Sequence, residues 1–347
     1  MRIRVNNNLI ASVIILGYNG KHFLEACIRS VLDQTLPSEL YEVIYADNAS
    51  TDGSVELVQE KFPQVKIVCF DHNLGFAEGN NQAAKCAKGR YLVFLNQDTV
   101  AHRDWLREMI NAMHFDPMVK AGHATGLPLV NGPMERETLP KRGYISEVSR
   151  YGTVEPFEIN LPDNPVPTLH LGGGSMILDR TVVDEIGYIF DPSFIAYCED
   201  LDLGLRLNGL GYKVVFVPKA FCYHHREGRT KPSRKTIART AMATRNRFIA
   251  YMKNMYLDEF ILSFPYLFWG SINKMNQVVN DPLKKIIYTV GLIPFTAYQS
   301  LLALARFPNY FNERKRILSQ RSEHRDRHWL MNELREKGKT IIKIDQS

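Results

Sequence analysis

The 347-residue sequence predicts a mostly parallel, doubly wound α/β sheet followed by a helical extension. Two observations carry this. Strand-like apolar runs alternate with helically spaced segments through the first hundred residues. The charge balance then changes near residue 230, with 22 Lys+Arg against 28 Asp+Glu before it and 21 against 9 after it. An apolar share of 45% indicates a sizeable core and excludes a disordered chain. The division reads as a folded unit over 1–230 and a helical, basic region over 231–347.

The elements follow in order. Ser12–Asn19 is a continuous apolar run ending in polar residues, as a strand buried on both faces would be. Helical spacing over 22–34 follows, then a strand at Tyr41–Asp47, a helix at 53–61, a strand at Val65–Phe70, a helix at 76–88 and a strand at Tyr91–Leu95. Strands joined by helices make a parallel sheet, whose ligands lie beyond the carboxyl ends of its strands. Tyr18, Asn19, Asp47, Asn73 and Asp98 fall there. A helix is expected at 103–115. Proline-rich 127–168 reads as a loop region over the site. Regular structure resumes at Leu169–Leu178, a helix near 180–187, a helix at 199–209 and a strand at Lys213–Val217.

Several short motifs carry chemistry. Asp47-Asn-Ala-Ser-Thr-Asp-Gly-Ser54 suits a nucleotide's base or ribose edge, although its second half is also ordinary turn and helix-start chemistry. Asn73, Gly75 and Asn80, in a run of glycines and amides opening a helix, allow close backbone approach to a nucleotide. Asn96-Gln-Asp98 ends the fourth strand, and hard cations prefer carboxylate oxygen, so Asp98 is the first candidate metal ligand. His224, just past the last strand, can face the same cleft as a further ligand. Gly172-Gly-Gly-Ser175 is read either as backbone (Gly173, Gly174, Ser175) lining a donor sugar or acceptor, or as a bend in a strand. Glu199-Asp-Leu-Asp202 opens a helix and crowds three carboxylates. Asp200 is the candidate base, with Glu199 and Asp202 orienting it or touching the acceptor, and Asp202–Arg206 an i,i+4 pair. One carboxylate holding a metal on a diphosphate and another accepting a hydroxyl proton is what transfer of a sugar from a nucleotide-sugar requires.

These pieces together resemble the inverting glycosyltransferases of the GT-A fold, a family that includes bacterial rhamnosyltransferases and galactofuranosyltransferases. Ser12–Asn19, Asp47–Ser54, Asn73–Asn81, Leu95–Thr99, Gly172–Ser175, Glu199–Asp202 and Tyr223-His-His225 occur in that family's order. The resemblance implies a nucleotide-sugar donor (dTDP-rhamnose or a UDP-hexose), Mg2+ or Mn2+ held by Asp98 and His224, nucleotide contacts from Tyr18, Asn19, Asp47, Asn73, Gly75, Asn80 and Asn96, and Asp200 as base. It further implies a glycan or lipid-linked acceptor in cell-surface polysaccharide synthesis. Asn96-Gln-Asp98 stands where the family often has Asp-x-Asp, and the processive enzymes' Gln-x-x-Arg-Trp is absent, which fits addition of one or few sugars. Arg245-Asn-Arg247 and the basic Arg314–Arg321 stretch resemble the membrane-docking helices of the rhamnosyltransferase branch.

The basic rear admits nucleic acid or an anionic membrane as partner, and the twenty uncharged residues of Ile286–Ala305 favour the membrane over nucleic acid. That segment's length could span a bilayer, lie in the interface, or belong to a core. Met1–Asn8 lacks the apolar core of a signal peptide, and five scattered cysteines without CxxC spacing fit a reducing compartment. A cytoplasmic protein peripheral on the inner membrane face is therefore expected, with a homo-oligomer left open. Two other classes remain. A nucleotidyltransferase would need a basic Gly-rich loop after the first strand, where Gly17-Tyr-Asn-Gly-Lys21 is sparse. A non-catalytic nucleotide-sugar-binding or membrane-docking module would have no use for Asp98, Asp200 and His224 together.

Overall fold

The computed structural model describes residues 9–129, 139–225, 234–276 and 282–336. The N-terminal eight residues, Pro133 and the expected boundary at 230/231 lie outside them. The first half runs β1 (Ala11–Gly17), α1 (Lys21–Leu32), β2 (Tyr41–Asp47), α2 (Ser54–Lys61), β3 (Lys66–Cys69), α3 (Gly75–Lys85) and β4 (Tyr91–Asn96). Here every sequence-predicted element is present, with ends moved by a few residues. Side chains alternate along β1: Val13 and Ile15 face a cluster with α1, while Ile14 faces one with Ile44, Phe94 and Ala83 of α3. Both faces are covered, which is why the strand reads as one apolar run.

The second half departs from the expected pattern. It runs β5 (Thr99–Ala101), α4 (Trp105–Met113), β6 (Val119–Pro128), β7 (Arg142–Val148), β8 (Val154–Asn160), β9 (Val166–Thr168), β10 (Ser175–Asp179), α5 (Val183–Ile186), α6 (Glu199–Gly209) and β11 (Lys213–His224). Among the described residues the main sheet has the order β3-β2-β1-β4-β10-β6-β11-β5, with β9 paired on β11. β10 is antiparallel to both β4 and β6, so the sheet is parallel in its first half and mixed in its second. The proline-rich stretch is not all loop: β7 and β8 form an antiparallel hairpin and β9 an edge ladder. Pro156 and Pro167 sit in these peripheral strands, where proline is tolerated. β11 continues past Pro218 through a bulge between Val217 and Phe221, so His224 ends a strand instead of following one.

Four long helices follow: α7 (Arg234–Asn254), α8 (Leu257–Asn276), α9 (Pro282–Ala305) and α10 (Phe307–Ser322). They share a hydrophobic cluster with Phe194, Leu201 and Leu205, with α7 and α10 packed behind α6 and α8 packed on α7 and α9. α9 is inverted relative to a soluble helix. Thr296, Gln299 and Ser300 face inward, at 0%, 6% and 3% exposure, while Val290, Tyr298 and Leu301 face outward at 64%, 58% and 63%. No single helix among the described residues is long and apolar enough to cross a membrane. Thr289–Ala305 and Phe307–Arg321, bent by 68°, reach that length only together.

Candidate active site

The parallel register of β1, β2 and β4 aligns Gly17 with Asp47 and Leu16 with Asn96, bringing three carboxyl-terminal loops to one edge. Side chains stitch these loops together. Gln97 accepts from the Tyr18 amide and donates to the Tyr18 carbonyl, both at 3.2 Å. Asn19, in the left-handed region at φ 47°, donates its amide to Ser50 Oγ and accepts from Thr51 N. Asp47 is buried and turned to its own surroundings, accepting from Tyr45 OH and Ser50 N at 2.8 Å each. It frames the loop more directly than it faces an open cleft.

Asn48, which the motif reading passed over, ties this loop to the next. Its amide reaches Asn73 Oδ1 and the Gly75 carbonyl, and its carbonyl accepts from Leu74 N. Asn80 requires a correction. It lies on the buried face of α3 at 2% exposure and donates to Phe76 O, so it does not reach a nucleotide. It follows Ala77 and precedes Ala83 at helical spacing, and that face packs on the sheet.

The candidate metal pair is assembled by a strand too short to see in sequence. β5 starts directly after Asp98 and pairs antiparallel with β11, setting Thr99 opposite His224. His224 Nε2 stands 3.3 Å from Asp98 Oδ1, and the His225 amide donates to the Asp98 carbonyl. Two ligands at right angles on one hard cation stand about 3 Å apart, so carboxylate oxygen and imidazole nitrogen fit Mg2+ or Mn2+. Among the described residues no third His, Cys, Asp or Glu joins them. An ion there would take its remaining ligands from water and bound phosphate.

The glycine run links this pair to Asp200. A Cβ on Gly174 would lie 3.8 Å from both Asn96 Nδ2 and His224 Cδ2, and one on Gly173 would lie 2.7 Å from Asp200 Oδ2. The Gly174 carbonyl accepts from Asn96 N, and the Gly173 amide donates to Asp200 Oδ2 at 3.1 Å. At Gly173 only glycine lets the backbone come this near Asp200, whereas a Cβ on Gly174 would make ordinary contacts. Ser175, by contrast, is buried in β10 and accepts from Trp105 Nε1 at 2.8 Å, a second correction: its alternating position in the strand turns it into the core.

Asp200 is the least buried member of its carboxylate trio. Burial works to raise its carboxyl, but the charge and hydrogen bond of His170, with the Leu201 and Gly173 amides, hold it below the usual range. Glu199 goes the other way. Burial first, and then the charge of Asp200, push it well above the ordinary value, while Asp200 is held below its own. Asp202 forms the expected i,i+4 pair with Arg206 but, as a third correction, does not face an acceptor. It is fully buried and bonded to Arg206, Lys253 and Asn254, one side of a helix away from the cleft. Lys253 gives its protons to Tyr188 OH, Asp191 and Asp202, so this cluster ties α7 to α6 beneath the site.

The segment leading into Asp200 is strained. Ile195, Tyr197 and Cys198 all have φ between 64° and 70°, unusual for residues with side chains. The amides of Phe76 and Ala77, at the start of α3, donate to the Ile195 carbonyl. From α7, the fully buried Asn246 donates to the carbonyls of Phe194, Ala196 and Tyr197 at 2.9–3.0 Å.

Residues 12–185, half the chain, match the model of glycosyl transferase family 2. The chain belongs to that family. It is 26% identical over 209 residues to Glycosyltransferase AglE of Haloferax volcanii, covering 59% of this chain and 63% of that protein. It is also 26% identical over 244 residues to the N-acetylglucosaminyl-diphospho-decaprenol L-rhamnosyltransferase of Mycobacterium tuberculosis, covering 62% and 76%. The chain thus spans less than two thirds of the length of AglE. The solved structure of GalNAc-T7 with UDP, GalNAc and Mn2+ superimposes with a TM-score of 0.58 at 16% identity, over 89% of this chain and 58% of that one. The fold is GT-A, an α/β sheet carrying C-terminal helices.

Proposed function

We propose that this glycosyltransferase family 2 protein moves a sugar, with inversion, from a nucleotide-sugar to a hydroxyl of a glycan or lipid-linked glycan in cell-surface polysaccharide synthesis. The observation that carries this is the backbone bridge Gly173-Gly174, which sets an ionised carboxylate, Asp200, across from a carboxylate–imidazole pair, Asp98 and His224. A base on one side and a diphosphate-holding pair on the other suit a single in-line displacement.

Tyr18, Asn19, Asn73, Gly75 and Asn96 edge the nucleotide side of the cleft. Asp98 and His224 would hold Mg2+ or Mn2+, which when bound offsets charge on the departing diphosphate. Asp200 takes the acceptor hydroxyl's proton as its oxygen bonds to the anomeric carbon and the bond to phosphate breaks. dTDP-rhamnose and UDP-hexoses are the donors to test first, the rhamnosyltransferase similarity favouring the former.

A peripheral position on the inner face of the cell membrane fits the same reading. The outward face of α9 (Val290, Tyr298, Leu301, Leu304) and that of α8 (Leu257, Ile261, Leu262, Tyr266) are apolar, whereas Arg314, Arg316 and Arg321 of α10 are turned to internal carbonyls and Glu259. The deciding experiment measures binding of a nucleotide-sugar panel with and without Mn2+, for the parent, Asp98→Ala and Asp200→Asn. The expected result is metal-dependent binding of one donor, lost in Asp98→Ala and kept in Asp200→Asn, which no longer transfers. Binding of no donor by folded protein would overturn the proposal.

A further inference from the structure

His170 stands two residues before the first glycine of the run and is inconspicuous as sequence, yet its side chain contacts that of Asp200. Its Nε2 lies 3.2 Å from Asp200 Oδ2, with the His170 side chain 5% exposed and that of Asp200 19%. The same oxygen accepts from the Gly173 amide, and Oδ1 accepts from the Leu201 amide of its own helix. We propose that His170 is a positioning residue for transfer: with the Gly173 amide it fixes Asp200 Oδ2, leaving Oδ1 as the oxygen that takes the acceptor's proton. This rests on the reading of Asp200 as base.

The surroundings suit such a part. The other ring nitrogen, Nδ1, lies 3.4 Å from the Ser146 carbonyl of β7, so the imidazole is sandwiched between hairpin and base. The Glu147 carboxylate anchors the Leu169 amide next to it. On β6, His123 lies edge-on with ring centroids 6.2 Å apart. Burial, then the His170 charge, depress His123 to about 3, so it is a neutral ring that does not compete for Asp200. The remaining titratable groups around Asp200 are Glu199 on α6, Cys198 before it, and Lys274 on α8, whose charge interacts with Asp200. Of these, none makes a hydrogen bond to Asp200 among the described residues. His170 gains and loses no proton in the step: the hydroxyl proton moves to Asp200, and the electron pair of the broken bond leaves on the diphosphate.

The test compares His170→Ala, His170→Gln and Asp200→Asn, following nucleoside diphosphate release with the donor identified by the binding panel, from about pH 3 to 9. Removing an opposite charge raises a buried carboxyl by about 1–3 pH units. His170→Ala should lower kcat at least tenfold, leave donor KM within about twofold, and move the acid limb upward by about a unit or more. His170→Gln, whose amide can donate to Oδ2 without a charge, should regain most of the rate but keep the raised acid limb. A parental acid limb in both His170 variants would overturn the proposal, as would equal loss of kcat and donor affinity in both. Transfer retained by Asp200→Asn would instead overturn the base reading itself.

Discussion

Replacing Asn246 tests whether the helical rear holds the catalytic loop in shape. Its side-chain amide has two protons and serves three carbonyls, those of Phe194, Ala196 and Tyr197, at full burial. Deleting it strands buried acceptors at about 1–3 kcal/mol each. Two lost bonds therefore cost roughly 2–6 kcal/mol if the loop stays put. The loop need not stay put, because Ile195, Tyr197 and Cys198 each carry about 1–3 kcal/mol of backbone strain that relaxation would release. Asn246→Ala should then lose only about 2 kcal/mol in urea unfolding. Transfer should drop more than tenfold, since Asp200 begins two residues after Cys198. Asn246→Asp, which turns a carboxylate toward three carbonyls, should be worse on both counts. An Asn246→Asp protein with parental stability and parental transfer rate would refute this reasoning.

Three further outcomes follow from the geometry. Gly173→Ala puts a Cβ 2.7 Å from Asp200 Oδ2 and should cut transfer at least tenfold in a protein that still melts cooperatively, whereas Gly174→Ala meets only ordinary contacts at 3.8 Å and should fold and turn over nearly normally. Lys253→Met leaves Asp191 and Asp202 as buried carboxylates short of a cation and should destabilise by about 3–5 kcal/mol in urea unfolding; a loss under about 1 kcal/mol would contradict the cluster's role. Glu313 lies 3.0 Å from Lys253, but that amine's protons are already committed, and burial pushes Glu313 up to about 7. Because its folded value lies above its unfolded one, its contribution is full below about pH 4.5 and is lost as pH rises through 7, by an upper bound of about 3 kcal/mol. Glu313→Gln should flatten that fall when melting is compared at pH 5 and pH 8.

The parallel half of the sheet was legible because it is built from local signals. β1, β2, β3 and β4 are apolar runs bounded by turn residues, and α1, α2 and α3 between them are amphipathic. The second half was harder for identifiable reasons. β5 is three residues long, and the β7–β8 hairpin hides behind prolines that local patterning reads as loop. Nothing local in Ser175–Asp179 says that β10 runs antiparallel, since strand direction is fixed by what it pairs with. Among candidate site residues, Asp98, His224, Gly173, Gly174 and Asp200 come together. Asn80, Ser175 and Asp202 do not, because helix and strand periodicity turns each inward.

The sequence by itself determined the alternating architecture, the order of the polar strand ends, and which carboxylates and glycines stand where a ligand could meet them. Those are properties of residues near one another in the chain. The tertiary structure alone decided which of three adjacent carboxylates faces the cleft, and that His170 and Asn246 hold the loop around it. Charge state and aim depend on neighbours dozens of residues away: His170 across a 3.2 Å contact for Asp200, Lys253 and Arg206 for Asp202, and burial for Glu199. No local pattern encodes those distances, because they exist only once the sheet, the hairpin and the rear helices have packed together.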